Sequence, residues 1–87
     1  MTHHPEIWAC LVGHMPRGRW VSLREIYSLV AAHLVLDRED HEPEAPGSSV
    51  PKWKRNVRNV LQYRRKTREI KKRSVREAEY MFVRHVD

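Results

Sequence analysis

Arg55, Asn59, Gln62 and Lys66 recur at intervals of four, three and four residues, which on an α-helix places them on one face. Their side-chain types suit the edges of nucleobases. A guanidinium can hold guanine O6 and N7 with two parallel bonds, and a carboxamide can do the same for adenine N6 and N7. Arg58 and Arg65 flank this face, and Lys52 and Lys54 precede it. Lys71, Lys72, Arg73 and Arg76 follow closely and suit phosphate oxygens. From Lys52 to Arg76, twelve bases stand against one acid, Glu69, a net +11 in 25 residues.

Other chemistries find less support. Six histidines raise the question of a metal. His3 and His4 are adjacent, however, and His14, His33, His41 and His85 lack a spacing such as His-x3-His on one helix face. Glu25, Glu39, Asp40 and Glu42 have no paired nucleophile or basic partner at nuclease-like spacing, so no catalytic residue is expected. Cys10 is the single cysteine, which excludes an intramolecular disulfide and a Cys-based zinc cage; beside Leu11 it reads as a small buried hydrophobe. No cofactor and no small-molecule substrate are evident.

The length, 87 residues, fits one domain over 1–87. The net charge of +6 and a pI near 10.0 point to a polyanionic partner. The longest nearly apolar run, Leu29 to Leu36, is broken by His33 and falls far short of the roughly 20 residues of a membrane span. Met1 to Glu6 lacks the basic and apolar regions of a secretory signal, so a cytoplasmic protein is expected.

The elements that must position these side chains can be read from periodicity. A first helix is expected from near Pro5 to about Gly13, with Ile7, Trp8, Leu11 and Met15 as its buried stripe. Arg19-Trp20-Val21 could pair as an edge strand. Ser22-Leu23-Arg24-Glu25 has the form of a capping box, opening a second helix that turns Leu23, Ile26, Tyr27, Val30 and Leu34 inward and ends near His33 or Val35. Asp37 could cap a short turn. Five acids between Asp37 and Glu44 read most simply as a solvated loop, with the further possibility that they repel DNA locally or restrain the basic surface. A long loop, 41–51, carries Pro43, Pro46, Gly47, Ser48, Ser49 and Pro51.

A third helix, 51–66, is expected after Ser48 and Ser49, with Pro51 in its first turn. Trp53, Val57, Val60, Leu61 and the stem of Arg64 share its apolar face, opposite Arg55, Asn59, Gln62 and Lys66. Trp53 reads as core, and Tyr63 sits at the stripe's edge, where it could meet phosphate. The C-terminal segment, 69–84, reads as a hairpin with strands Glu69 to Arg73 and Glu79 to Val86. Its turn is Ser74 to Ala78, with Lys71, Lys72, Arg73 and Arg76 near the tip.

Helix, short strand, helix, loop, basic helix and basic hairpin is the order of an α+β winged helix-turn-helix: three helices, a two-stranded wing and a short third edge strand. In that architecture the third helix enters the major groove and the wing follows phosphates, so these two elements should be the basic ones, as they are here.

From about Trp20 to Val83 the sequence also resembles the winged-helix domain at the N-terminus of Mrr-like restriction endonucleases and related restriction-system proteins. The resemblance is carried by Trp20-Val21-Ser22-Leu23-Arg24-Glu25-Ile26, Leu36-Asp37-Arg38-Glu39-Asp40, the Pro/Gly/Ser loop, Pro51 through Leu61, Glu69-Ile70 and Tyr80. The family tends to have Gly just before the first wing strand and again within the wing. Arg68 and Glu77-Ala78 stand there instead. The resemblance implies DNA binding and, with no residues left for a nuclease core, does not imply cleavage.

The expected function is therefore double-stranded DNA binding by a non-enzymatic winged helix, which the resemblance implies is the recognition module of a restriction-type system. The candidate contacts are Lys52, Lys54, Arg55, Arg58, Asn59, Gln62, Arg65, Lys66, Lys71, Lys72, Arg73 and Arg76. The alternatives are an RNA-binding module, or a protein-interaction domain that docks on a partner protein or forms a homodimer. No membrane partner is expected.

Overall fold

The computed structural model describes residues 1–83. Their elements are α1 (His4–His14), β1 (Val21–Ser22), α2 (Leu23–His33), α3 (Lys52–Lys66), β2 (Ile70–Ser74) and β3 (Ala78–Phe82). The strands form an antiparallel sheet in the order β1-β3-β2, so the fold is α+β with three helices beside a three-stranded sheet.

Local chemistry accounts for the boundaries. Pro5 lies in the first turn of α1, where its missing N–H leaves no helical bond unmade. The helix stops at Met15, whose N–H still donates to Leu11 O, and the chain turns through Pro16 and Gly18, the latter at φ 78°. Ser22 both pairs with Glu79 in the sheet and caps α2, its Oγ accepting the Glu25 N–H at 3.1 Å. Only this half of the expected capping box forms, because the Glu25 carboxylate pairs with the Arg19 guanidinium at 2.6 Å.

Ile7, Leu11, Val21, Ile26, Val30, Val57 and Leu61 are fully buried, and Cys10, Met15, Trp53, Val60, Ile70, Tyr80 and Phe82 complete the core. Each fully buried Val, Leu or Ile side chain contributes roughly 1.5–3 kcal/mol. Leu23, Tyr27 and Leu34 pack on the core only half-buried, and so does Trp8, which was expected within it. The Trp8 ring meets Phe82 edge-on at 5.9 Å, and the Arg64 guanidinium covers it at 4.4 Å.

The acidic stretch is a solvated loop only in part: Asp37, Glu39 and Glu42 are exposed, whereas Asp40 is not. Asp37 and Asp40 accept each other's backbone N–H, both at 2.9 Å. Asp40 is fully buried, and its carboxylate also accepts the Thr2 N–H and hydroxyl. A charge so desolvated persists only when its oxygens are hydrogen-bonded in this way. The loop then closes on the start of α3. Glu42 O accepts the Lys52 N–H at 2.8 Å and Asp40 O the Trp53 N–H at 3.1 Å, while Pro43 bridges to Pro51. These carbonyls satisfy orphan N–H groups at the start of α3, and Ser48 Oγ accepts the Val50 N–H.

Both hairpin strands run one residue further into the turn than expected. Pairing runs from Ile70↔Phe82 to Ser74↔Ala78, leaving Val75 to Glu77 as the turn. Val83 lies beyond β3 and donates its N–H to Glu69 O. Residues 84–86 of the expected strand, and His85 with them, lie outside the described residues.

Candidate nucleic-acid interface

The basic helix is divided at its middle. In its N-terminal half every candidate cation has an internal partner. Lys52 Nζ pairs with Glu42 at 3.4 Å, and Lys54 Nζ lies 5.0 Å from the Tyr27 ring centroid. Arg55 donates to Glu44 O at 3.3 Å, and Arg58 pairs with the Glu44 carboxylate at 2.5 Å. Arg55 and Arg58 are accordingly half-buried rather than projecting freely.

Beyond Arg58 the surface changes. Asn59, Gln62, Arg65 and Lys66 are exposed. Arg58, Asn59, Gln62 and Arg65 face Lys72 and Tyr80 across a cleft of about 380 Å³ between α3 and the sheet. All six lining side chains carry hydrogen-bond donors and none is acidic. Burial pushes the Tyr80 phenol up from its ordinary pKa, so its hydroxyl remains a neutral donor.

The hairpin bases do not gather at the tip, because consecutive strand residues point to opposite faces. Ile70 faces the core, and Lys72, two residues on, shares that side and opens onto the cleft. Lys71 and Arg73 point to the other face, where they flank the Trp20 ring at 5.6 and 4.5 Å. Arg73 is also paired with its cross-strand neighbour Glu79 at 2.8 Å. Only Arg76 belongs to the turn, exposed beside Val75. Arg73 thus joins Lys52, Lys54, Arg55 and Arg58 as an internally engaged candidate.

Arg68 was not among the candidates, yet it lines the neighbouring cleft with Arg65, Lys71 and Lys72. It follows the last residue capping α3 and adopts φ 64°, the left-handed region. Glu69 N–H donates to Arg64 O and Arg68 N–H to Arg65 O, the two bonds of a Schellman motif. Glycine is the usual residue at such a position, so an arginine there is costly and places a cation at the helix end. The signal was present in the sequence as a missing glycine. Arg64, by contrast, is structural. It pairs with Glu69 at 2.6 Å and covers Trp8, and its Nε–H donates to His4 Nε2 at 3.1 Å. Burial, then the Arg64 charge, lower the His4 pKa and keep the ring neutral and able to accept.

Trp53 is buried, edge-on to Tyr27 at 5.7 Å. Tyr63 is 53% exposed and meets His4 edge-on. His14 and His33, far apart in sequence, stack at 3.6 Å at the ends of α1 and α2. No group of three metal-ligating side chains occurs among the described residues, and none of their helices is long and apolar enough to cross a membrane. Comparison with known proteins adds no relative: no family model, no curated protein and no solved structure matches the chain.

Proposed function

We propose that the chain is a winged helix-turn-helix domain that binds double-stranded DNA without cutting it. The single observation that carries this reading is the acid-free cleft, in which the exposed half of α3 and the β2–β3 hairpin present donors to one space. Arg65, Lys66, Arg68, Lys71 and Lys72 are the cations that meet phosphate. Asn59 and Gln62 are the side chains that face base edges, since a carboxamide offers the donor and acceptor that adenine requires. The fold half of the reading is supported by the element order and by β1 pairing with the far strand of the hairpin. The resemblance to the N-terminal domain of restriction endonucleases supports the same partner, a role as recognition module in a restriction-type system, and a cytoplasmic location with the DNA.

Fluorescence anisotropy with a labelled duplex tests it. Binding at low salt should weaken with a log K against log [salt] slope of about −4 to −5. Replacing Arg65 and Lys66 together should weaken it far more than replacing Arg24 and Arg38. No binding at low salt, a flat salt response, or tighter binding to an RNA duplex of matched length would overturn the proposal.

A further inference from the structure

The ion pairs at the start of α3 have a geometry that goes beyond stabilising a loop. Glu44 is not free to wander: its N–H donates to Val50 O at 2.8 Å, and the flanking Pro43 bridges to Pro51. Behind it, the loop is anchored by the buried Asp40 and by the Lys52 N–H on Glu42 O. The carboxylate is therefore delivered to Arg58 by backbone on both sides. It meets that guanidinium at 2.5 Å, as a phosphate oxygen would. The Glu44 and Arg58 side chains retain 22% and 37% of their exposure, so the pair sits at the surface, within reach of a competing anion. Arg58 also lines the cleft with Asn59, Gln62, Arg65, Lys72 and Tyr80. One guanidinium thus belongs both to the acidic loop and to the proposed interface.

We infer that Glu44 is a built-in phosphate mimic that holds Arg58 away from nucleic acid, so that the 37–51 loop sets the domain's affinity from within. The inference rests on the DNA-binding reading above. A half-exposed ion pair is a weak lock, worth little in stability. It withholds one contact from the domain without unfolding anything when it opens. A carboxylate that a partner or a modification removes from Arg58 would raise affinity with no other change in the fold.

Glu44→Gln tests this, because it keeps the shape and the backbone while removing the charge. One extra phosphate contact has a ceiling of about fifteenfold at 50 mM salt, and its log–log salt slope is about 0.9. The expected result is duplex binding three- to tenfold tighter than wild type, about 0.7–1.4 kcal/mol, with a slope steeper by about 0.9. The gain should vanish in Glu44→Gln/Arg58→Gln. It should be absent in Glu39→Gln, which removes the same charge from an exposed position of the same loop. Equal gains from the Glu39 and Glu44 variants would show a general charge effect and overturn the inference. A weaker Glu44→Gln would overturn it too, making Glu44 a support that positions Arg58 for DNA. In either case wild type still binds with the slope given above, so the DNA reading survives. If no variant binds the duplex, the DNA reading falls and the inference with it. An NMR titration supplies a readout independent of affinity: the Arg58 Nε–H should shift with duplex in Glu44→Gln and stay in place in wild type.

Discussion

Arg68→Gly should make the domain more stable and a poorer DNA binder. Arg68 holds φ at 64° to close the Schellman motif of α3. For an L-residue that conformation costs roughly 1–2 kcal/mol, because Cβ crowds the following carbonyl. Glycine relieves the crowding but gains freedom in the unfolded chain, which takes back roughly 0.5–1 kcal/mol. The side chain is exposed, so its removal leaves no cavity. A net gain of about 0.5–1 kcal/mol remains, which for a domain of this size raises Tm by about 2–8 °C. Thermal and urea unfolding followed by circular dichroism measure it, with an unchanged m-value showing that the surface exposed on unfolding is unaltered. Arg68→Gly also removes a cation from the cleft, so its DNA-binding salt slope should become shallower by about 0.9. Arg68→Asn separates the two effects: asparagine tolerates the left-handed region, so it should recover part of the stability and lose the same slope. A lower Tm for the glycine variant would refute the strain argument. An unchanged slope would remove Arg68 from the interface.

Two further substitutions probe the core and the helix end. Leu61→Ala, at a fully buried position, should cost about 2–5 kcal/mol and lower the urea midpoint accordingly; a loss below 1 kcal/mol would mean that α3 is not seated as described. The Thr67 hydroxyl and then the Arg64 guanidinium hold the Glu69 carboxyl below its ordinary 4.5. Because the folded pKa is the depressed one, the stabilisation is complete above about pH 4.5 and drains away as pH falls through the depressed value. Glu69→Gln should therefore be less stable than wild type at pH 7 and lose less on acidification to pH 3.5; an equal acid loss in both would exclude Glu69 as a contributor.

Much of the fold was legible because local signals agreed. Pro5, Ser22 and the Trp53, Val57, Val60, Leu61 stripe each predict an element that forms within a residue or two of its expected place. The hairpin turn was less legible, since no glycine or asparagine marks it, and each strand runs one residue further into it than expected. What the sequence could not carry was long-range pairing. Nothing local distinguishes Asp40, which becomes buried against Thr2, from Glu39 beside it, which stays exposed. Nor does helical periodicity reveal that Arg55 and Arg58 fall under Glu44 while Arg65, on the same flank, does not. The elements that carry the candidate residues were therefore legible, and the excess of candidates over cations left without an internal partner was not.

The size of that excess can be measured. If every charge in the Lys52–Arg76 segment met phosphate, the net +11 would give a salt slope near −10. The structure divides the segment differently. Lys52, Arg58, Arg64 and Arg73 are paired with Glu42, Glu44, Glu69 and Glu79, and Arg55 is held by a carbonyl. Lys54 is half-buried over Tyr27, whereas Lys71 and Lys72 stay exposed beside Trp20 and Tyr80, and Arg76 sits at the far turn, away from the cleft. Arg65, Lys66, Arg68, Lys71 and Lys72 remain, and five contacts give a slope of about −4.5. A cation that stays in an ion pair within the protein neutralises no phosphate, so it displaces none of the counterions condensed on DNA. The slope therefore counts free cations rather than formal charge. A value near −10 would mean that the internal pairs open on binding, and the division of α3 would then have no bearing on recognition.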